Sequence, residues 1–597
     1  MSYVAPLKDI LFNLRHLAGL DDLAASIPEF ADAGLDTAQA VLEECARFAQ
    51  DVVAPLNTVG DRNPPRLEGG RVTTAPGFVP AYRQMAEGGW QGLEHPAEFG
   101  GQALPKSIGG ACLEIFNSAN VAFAQCASLT DGAIEALLVA GSPELKARYL
   151  PRMVRGEWVG TMNLTEPQAG SDLALVRTRA EPAGDGTYRI FGTKIFITFG
   201  DHDMADNIVH LVLARVKGAP EGVKGISLFV VPKVLVNEDG SLGARNDVRC
   251  VGLEHKLGMH GSPTAVLQYG DEGGAVGYLV GEENRGLEYM FVMMNAARYQ
   301  CGMQGIALGE RAYQKAVQHA RDRVQSRPVD GSSANAVAII QHPDVRRMLM
   351  TMRALVEGCR AMASVAAAAC DAARHHPDPE VRREQQAFYE FLVPLVKGYS
   401  SETGLEVTSL GVQVHGGMGF IEETGAAQYY RDARIVPIYE GTTAIQANDL
   451  VGRKTQRDGG AFAKSVARRI AQTEQALRES GDAQALAVAA RLTEARGLFE
   501  RAVDHVAEHA KARPNEVYAG SVPYLMLAGN LVAGWQLARA LLAAQAAAAR
   551  GEDTAFMQAK VHTARAYADQ ILPRTHALHV ALVGGHAGVL GMALDAF

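Results

Sequence analysis

The sequence predicts a multidomain, mainly α-helical protein with a central antiparallel β domain and a further helical domain at its C-terminal end. Three observations lead to this fold class. The chain has 597 residues, which at roughly 150 residues per domain corresponds to about four domains. Apolar residues recur at helical spacing up to about residue 158 and again from Leu287 onwards. Between these regions lie short β-branched runs with frequent Gly and Pro.

Changes in hydrophobic periodicity divide the chain into four regions. Leu35–Val53 and Pro143–Val154 are predicted helices of the first region. The third region contains the long predicted helices Arg298–Val324, Pro343–Ala373 and Arg383–Leu410. An Ala-rich helical region ends the chain. The predicted domains are therefore 1–158 (helical), 159–283 (β), 284–454 (helical) and 461–597 (helical).

The second region predicts a small antiparallel barrel or sandwich, because it consists of several short strands with turn residues between them. Gly192 separates the first two of these strands. The strands are predicted at Tyr188–Phe191, Lys194–Thr198, Ile208–Val216, Ile226–Val231 and Val276–Val280. No Gly-x-Gly-x-x-Gly follows a strand and opens a helix, so the dinucleotide-binding fold lacks its phosphate loop.

Composition excludes several classes of protein. With 48% hydrophobic and 21% charged residues, the chain is neither disordered nor collagen-like nor a small disulfide scaffold. A net charge of −9 argues against nucleic acid as the main partner, since phosphate binding depends on clustered Lys and Arg. Seven cysteines without a Cys-x-x-Cys pair predict reduced thiols in a cytoplasmic protein and no metal site.

Neither a signal peptide nor a transmembrane segment is predicted. Charged residues interrupt the first residues of the chain, so no signal-peptide core is present. The most apolar stretch, Ser521–Ala549, contains Asn530, Gln536 and Arg539. A membrane span needs about 20 mostly apolar residues without such groups. We therefore interpret this stretch as a buried helix of a bundle.

Glu440 is the strongest candidate for chemistry. It lies between the apolar run Ile435–Tyr439 and a Gly-Thr-Thr sequence that opens a helix. Apolar surroundings would raise the pKa of its carboxyl group into a range useful for a general base. The alternative is that Glu440 only precedes a helix capped by Thr442 or Thr443.

Three further segments have the residue types of a ligand site. The turn Met162–Asp172 offers hydroxyl and backbone N–H groups to a flat heterocycle or a phosphate. In the strand Lys194–Gly200, alternation places Phe196 and Thr198 on one face. The Gly-rich loop 411–419 permits close approach of a ligand to the backbone. Each also has an ordinary interpretation, as a polar turn, a strand or a helix–helix loop.

Together these segments resemble the acyl-CoA dehydrogenase family, over roughly residues 35–454. The tail from Ala461 resembles the helical extension of a subgroup of large bacterial members. The motifs that carry the resemblance are Thr165–Asp172, Lys194–Thr198, Gln413–Gly419, Arg431–Arg434 and Ile438–Thr442.

The resemblance implies an FAD site between the β domain and the second helical domain. Arg323, Gln341, Gln413 and Gly417 would reach the FAD of a neighbouring subunit, which implies a homodimer. The family commonly has Trp where this chain has Phe196, and an aromatic residue shortly after the position of Arg323. The FAD-binding residues implied by the resemblance are Met162, Leu164, Thr165, Ser171, Phe196, Thr198, Arg323, Gln341, Gln413, Gly417 and Thr442.

The implied reaction is dehydrogenation of a saturated acyl-CoA, of the fatty or 3-methylthiopropionyl type, to the trans-2-enoyl-CoA. Glu440 would abstract the α-proton, and electrons would pass from FAD to electron-transfer flavoprotein. The residues implied to contact the substrate are Ser171, Arg298, Tyr439 and Gly441. Arg298 is placed at the start of a long helix and has an alternative interpretation as a surface residue.

Two other functions remain open at this level. The same fold could serve an acyl-CoA oxidase, in which O2 reoxidises the flavin, or a non-catalytic member that binds acyl-CoA or DNA. Glu440 in its Tyr-Glu-Gly-Thr context favours an enzyme. For the C-terminal region, a structural role is favoured over a lid or membrane contact and over nucleic-acid binding. Arg431, Asp432 and Arg434 are interpreted as an ion-pair network.

Overall fold

The computed structural model describes residues 3–597. Its first part is a helical domain in which amphipathic helices bury their apolar faces against one long helix. That helix, Lys106–Ala140, is interrupted at Asn120, whose side chain accepts a hydrogen bond from the backbone N–H of Phe123 at 3.1 Å. The helices are Leu7–Asn13, Leu20–Ser26, Leu35–Phe48, Leu56–Arg62, Phe78–Glu87, Lys106–Ala140 and Pro143–Val154, with a small hairpin at Arg66–Glu68 and Arg71–Thr73.

The middle domain is an eight-stranded sheet that closes on itself. Arg179–Pro182 pairs with both Tyr188–Thr198 and Asn207–Val216, and this completes a ring of strands. In order of pairing, the other strands are Val248–Leu253, Thr264–Tyr269, Tyr188–Thr198, Ala275–Val280, Ser227–Pro232, Asn207–Val216 and Trp158–Asn163. A separate hairpin is formed by Val234–Val236 and Leu242–Arg245.

The β domain differs from the prediction in two respects. Asn207–Val216 pairs in parallel with Trp158–Asn163 and with Arg179–Pro182, so the sheet is mixed rather than antiparallel. The two strands predicted on either side of Gly192 form one strand, Tyr188–Thr198. A Cβ atom at Gly192 would lie 2.5 Å from Oγ1 of Thr178, so glycine here permits close packing within a continuous strand.

The helices of the second helical domain pack against those of the first helical domain. The predicted helix Arg383–Leu410 is two helices joined by a π-helical turn at Leu395–Tyr399, and the predicted loop from 411 begins only after His415, where the helix ends. Arg298 lies in the interior of a helix and not at its start. The helices are Gly286–Asp322, Pro343–His375, Pro379–Pro394, Ser400–His415, Ala426–Ala433 and Thr443–Gly452.

The C-terminal extension packs around Ser521–Ala549, which is buried nearly all round. This helix and Lys106–Ala140 have the length and hydropathy of a membrane span, yet 83% and 72% of their most apolar windows are buried inside the protein. Helices that are apolar on all sides and buried to this extent are typical of the core of a large protein. The helices are Ala461–Glu479, Ala483–His509, Pro514–Ala519, Ser521–Ala549, Thr554–Gln570, Arg574–Gly584 and His586–Leu590. The predicted fold class, helical, β, helical and an extra helical region, is confirmed.

A buried network of charges joins the helical parts of the chain. Arg360 donates to Asp9 at 2.7 Å, to Glu114 at 2.6 Å and to Glu310 at 2.7 Å. Lys560 of the extension contacts Asp9 at 2.5 Å and Glu357 at 2.7 Å. Burial opposes ionisation of Asp9, but Lys560 and Arg360 together lower its pKa to about 2.

Replacing Arg360 by Met should strongly destabilise the protein. Three buried carboxylates would lose their shared partner, at a cost of about 3–5 kcal/mol. Because a protein of several domains does not unfold in one step, the measurement is the midpoint of the first urea transition. The control is Arg383→Met, since Arg383 pairs with Glu380 on the exposed surface. Equal midpoints for both variants would contradict a structural role for this network.

Candidate active site

Glu440 lies in a turn that enters the helix Thr443–Gly452. Pro437 and Gly441 prevent a continuous helix before it. The hydroxyl of Thr442 accepts a hydrogen bond from the backbone N–H of Ile445 at 3.3 Å, which makes Thr442 the N-cap. Both interpretations of the motif therefore apply, since the helix is capped and a carboxylate is held directly before the cap.

The backbone at Glu440 is strained. Its φ angle is 54°, in the left-handed region, and that of Gly441 is 86°. For a residue with a side chain this conformation costs roughly 1–3 kcal/mol and persists only where the surroundings impose it. Gln446 provides part of that restraint, because its amide donates to the carbonyls of Glu440 at 3.3 Å and Gly441 at 3.2 Å.

Lys397 provides the other part of the restraint. Its ammonium group donates to the carbonyl oxygens of Val436 at 2.9 Å and Gly441 at 2.7 Å, on either side of Glu440. The side chain is buried, and it lies in the π-helical turn Leu395–Tyr399. Sequence reasoning missed Lys397, because a lysine in a helical apolar run carries no motif and a π-helical turn leaves no periodic signal.

The environment of Glu440 shifts its carboxyl group toward the protonated form. Burial raises the pKa of Glu440, and the positive charges of Lys397 and Arg298 offset this only in part. Burial also lowers the pKa of Lys397. A glutamate with a raised pKa beside an apolar region is suited to accept a proton near neutral pH.

Arg298 is buried and not a surface residue, which corrects the alternative interpretation. Its Nη1 atom donates to Asn295 at 3.3 Å and lies 3.9 Å from a carboxylate oxygen of Asp449. The Nε atom is buried and has no hydrogen-bond partner among residues 3–597. An unpaired buried guanidinium donor beside Glu440 is available to a ligand.

The side chain of Tyr439 points away from Glu440 into the protein. Its hydroxyl accepts a hydrogen bond from the amide of Gln125 at 3.1 Å and donates to Gln304. Gln125 in turn accepts from Ser262 at 2.8 Å. These contacts connect the turn that holds Glu440 to helices of both helical domains and to the β domain.

The predicted flavin-binding turn is held by a buried ion pair. Lys194 contacts Glu166 at 2.8 Å and donates to the carbonyl of Leu164 at 3.0 Å. Burial opposes ionisation of Glu166, but Lys194 and hydrogen bonds from Thr178 and Arg177 lower its pKa to about 2. Lys194 and Glu166 belong to two of the motifs found in the sequence, yet the ion pair between them was not predicted.

Met162, Leu164 and Thr165 lie at and directly after the strand Trp158–Asn163. This strand ends the sheet and pairs only with Asn207–Val216. The backbone of an edge strand leaves one row of N–H and C=O groups outside the ladder, which a heterocycle can use. Ser171 lies on the exposed part of the loop that follows.

Phe196 lies in a β-bulge, so simple alternation does not set its direction. Ala265 faces Ile197 and Leu267 faces Lys194, which leaves one extra residue on the strand that carries Phe196. The φ angle of Phe196 is 59° and its side chain is 58% exposed. An aromatic face held in solvent by a strained backbone can stack on a planar ligand. Thr198 is half-buried beyond the bulge.

The other four predicted FAD residues lie at the far end of the second helical domain. Arg298 and Arg323 belong to one helix and its C-cap, which at about 1.5 Å per residue separates them by roughly 37 Å. Arg323, Gln341, Gln413 and Gly417 are exposed there, and His319 and His415, close in sequence to Arg323 and Gln413, stack with ring centroids 4.3 Å apart. One chain therefore does not bring both sets to the same ligand.

The predicted charge cluster before Glu440 is only partly an ion-pair network. Arg431 pairs with Asp61 at 2.6 Å and with Glu422 at 2.8 Å. Asp432 instead accepts from the backbone N–H of Met259, and burial raises its pKa to about 6. Arg434 is exposed. These residues join the turn to its neighbours rather than to each other.

The predicted site residues, taken together, have the chemistry to hold a flavin and a thioester. An exposed aromatic face, an edge strand with free backbone groups and buried orphan atoms at Arg298 Nε and Gln446 Oε1 are all partners for a polar, planar ligand. A strained carboxylate with a raised pKa can act on such a ligand as a base. The site can therefore support proton abstraction coupled to flavin redox chemistry.

Family models match four consecutive parts of the chain. They are described as the acyl-CoA dehydrogenase N-terminal domain at residues 36–157, the middle domain at 161–271 and the C-terminal domain at 284–454. A model described as acetyl-CoA dehydrogenase C-terminal like matches residues 462–593 of the extension.

Relatives and solved structures resemble the whole chain. A curated 3-methylmercaptopropionyl-CoA dehydrogenase from Ruegeria pomeroyi is 57% identical over 97% of each chain. Among solved structures, Caenorhabditis elegans ACDH-11 in complex with C11-CoA has a TM-score of 0.76 at 20% identity, covering 98% of this chain and 96% of that one. An acyl-CoA dehydrogenase complexed with FAD from Bacillus anthracis has a TM-score of 0.74 at 22% identity, covering 94% and 90%.

Lys397→Met tests the restraint on Glu440. Loss of two hydrogen bonds should displace the carboxylate and lower kcat by about 10- to 100-fold, as small misplacements of reacting groups do. Loss of the positive charge should also raise the pKa of Glu440 further, because that charge favours the carboxylate. Since a base acts when deprotonated, the rise of kcat with pH should move to higher pH.

The control for this change is Lys464→Met, an exposed lysine that pairs with Asp504 in the extension. It should leave both kcat and its pH profile unchanged. A Lys397→Met enzyme whose pH profile matches that of the unchanged protein would show that Lys397 does not act on Glu440.

Proposed function

Because the chain belongs to the acyl-CoA dehydrogenase family, we propose that it dehydrogenates a short linear acyl-CoA, with 3-methylthiopropionyl-CoA as the favoured substrate. The observation that carries this proposal is Glu440, a half-buried glutamate on a strained backbone, in a turn whose carbonyls Lys397 and Gln446 hold. Members of this family are FAD-dependent oxidoreductases, and FAD supplies the acceptor for the hydride that leaves the β-carbon.

Glu440 removes the proton from the α-carbon of the thioester. The resulting product has a trans double bond between the α- and β-carbons. As the proton leaves, negative charge develops on the thioester oxygen, and donors placed toward that oxygen stabilise it. The backbone N–H of Glu440 is the donor of this chain for that position, and the fixed turn from Val436 to Gly441 keeps it aligned with the carboxylate.

The chain's own residues also bind and orient the flavin. The edge strand around Met162 and the turn at Leu164–Thr165 offer backbone groups, Thr165 and Thr198 offer hydroxyls, and Phe196 offers its exposed face. The pair Lys194–Glu166 keeps this turn against the sheet. Thr442 places the N-terminus of its helix at the same site.

The substrate is proposed to be short, because the cavity lined by the two helices that contact Tyr439 is small. It has a volume of about 70 Å³ and is lined by Ala124, Ser128 and Gln300, each within about one helical turn of the Gln125 and Gln304 contacts to Tyr439. Its wall also includes the ion pair Glu94–Lys106, with a separation of 3.0 Å. A longer alkyl chain would be pressed against these charges, which is unfavourable.

A thioether suits this cavity better than an alkyl chain of the same length. Aromatic and sulfur-containing side chains form much of the wall, namely Met85, Trp90, Cys112, Phe116 and Phe123. A thioether sulfur gains about 0.3–1.5 kcal/mol from contact with an aromatic ring. The relative from Ruegeria pomeroyi, 57% identical, carries the name of an enzyme for such a substrate.

The proposal includes a homodimer and an external electron acceptor. The FAD residues at the far end of the second helical domain would complete the site of a second copy, and apolar side chains are exposed beside them, such as Phe420 at 85%. Electron-transfer flavoprotein is the proposed acceptor. The seven buried, unpaired cysteines agree with a reducing compartment, and we propose the cytoplasm.

Glu440→Gln tests the reaction. Mixed anaerobically with 3-methylthiopropionyl-CoA, the unchanged protein should lose the flavin absorbance, whereas the variant should bleach at least about 10²–10⁴-fold more slowly, the usual contribution of a general base. The control is Glu402→Gln, because Glu402 is a neighbouring carboxylate that accepts from Thr443 at 2.6 Å and has no proposed proton role. Unimpaired bleaching by the Glu440 variant would exclude it as the base.

Phe116→Ala tests the size of the acyl cavity. The unchanged enzyme should show its highest kcat/KM with 3-methylthiopropionyl-CoA and butyryl-CoA, and at least about tenfold less with dodecanoyl-CoA, a difference of about 1.4 kcal/mol. Removing a ring from the wall should raise the ratio of octanoyl-CoA to butyryl-CoA activity. A ratio of kcat/KM values compares two substrates on one protein, so a loss of stability does not affect it. An unchanged ratio would place the acyl chain elsewhere.

A further inference from the structure

A large cavity lies where the extension meets the N-terminal segment and the second helical domain. We call it the extension groove. Its volume is about 720 Å³, within the range of roughly 300–1,000 Å³ typical of small-molecule sites. It shares no lining residue with the small cavity bounded by Glu94 and Lys106.

Apolar side chains form much of the floor and walls of the extension groove. Ala368, Ala369 and Ala372 contribute one face of the helix Pro343–His375, and small side chains there leave room along the helix. Leucines from three other segments and an aromatic pair complete the walls. The members of this second set are Leu17, Leu23, Leu542, Phe388 and Trp535. A surface of this kind removes an alkyl chain from water, at about 25 cal/mol per Å² of apolar area.

The polar groups of the groove are basic or neutral. Arg469, Arg539, His16 and His376 line it, and none of the described lining residues is Asp or Glu. Arg469 already has a partner, since it contacts Glu384 at 2.5 Å and lies over the ring of Phe388 at 4.7 Å.

Arg539 lacks an anionic partner. Its guanidinium donates to the amide oxygen of Gln536 at 2.6 Å and to the carbonyl of Leu17 at 3.0 Å. Among residues 3–597, no charged group offsets the burial of this guanidinium. Burial lowers its pKa without a compensating charge. Removing a guanidinium from water without an anion beside it costs free energy. A bound anion would offset that cost.

We propose that the extension groove binds a single-chain amphiphile with an anionic head, a fatty carboxylate, whose head group pairs with Arg539. The alkyl chain lies along the alanine face of the helix Pro343–His375, between Trp535 and the leucines. A guanidinium recognises a carboxylate through two parallel N–H donors, and such bonds are among the strongest in proteins. This inference concerns a separate surface and does not depend on the substrate proposed for Glu440.

The test uses the full-length protein with FAD and a dodecanoic acid that carries a diazirine near its methyl end. After irradiation, peptides are mapped by mass spectrometry, with and without excess butyryl-CoA to occupy the active site. The expected labels lie in residues 365–376 and 535–542, and butyryl-CoA leaves them unchanged. Labels confined to the active-site region, or lost with butyryl-CoA, would overturn the proposal.

Arg539→Gln should weaken dodecanoate binding by about tenfold in calorimetry, which corresponds to about 1.4 kcal/mol. The matched control is Arg550→Gln, because Arg550 is an exposed arginine of the extension that pairs with Glu552. This variant should bind dodecanoate as tightly as the unchanged protein. A second variant, Ala368→Leu, narrows the groove and keeps Arg539, and it should also lose affinity. For each variant the thermal midpoint and the acyl-CoA turnover report whether the fold is retained.

The head group is tested separately. Dodecyltrimethylammonium has the same tail and a positive charge, so it should fail to compete with the labelled dodecanoate, whereas decanoate should compete. Equal competition by both, or an Arg539→Gln protein that binds dodecanoate as the unchanged protein does, would show that no anion is recognised in the groove.

Discussion

The structure depends on the buried charges around Arg360. This one guanidinium and Lys560 of the extension share carboxylates from the N-terminal segment and from both helical domains. A buried charge without a partner is costly, so each of these segments is bound to its position once the others are in place. The helices Lys106–Ala140 and Gly286–Asp322, which line the proposed acyl cavity, are thereby held in one arrangement.

The turn around Glu440 is also held by buried polar contacts, on a smaller scale. Glu440 adopts a backbone conformation that a glutamate rarely has, and Lys397 and Gln446 hold the carbonyls around it. Phe196 is held in a similar conformation by a bulge. Strain at these two residues is stabilised by the surrounding buried hydrogen bonds and sheet pairing. The site is thus formed before any ligand enters it.

The proposed acyl cavity and the extension groove differ in size and in charge. The proposed acyl cavity is small and bounded by the ion pair Glu94–Lys106, which would limit the length of the acyl chain. The extension groove is about ten times larger, at about 720 Å³ against 70 Å³, and Arg539 is its unpaired charge. If both proposals hold, the enzyme binds a short acyl chain in the acyl cavity and a long-chain anion in the extension groove. The extension then has a role besides covering the second helical domain.

The sequence by itself predicted the order of domains, the family and Glu440 as the candidate base, because hydrophobic periodicity and residue motifs are local properties of the chain. It also assigned the mixed sheet as antiparallel and Arg298 to a helix start, since pairing direction and burial depend on distant segments. Only the tertiary structure decided that Lys397 restrains Glu440 and that Arg539 faces a groove without an anion. These are contacts between residues far apart in sequence, and they exist only after the helices pack, so no local pattern encodes them.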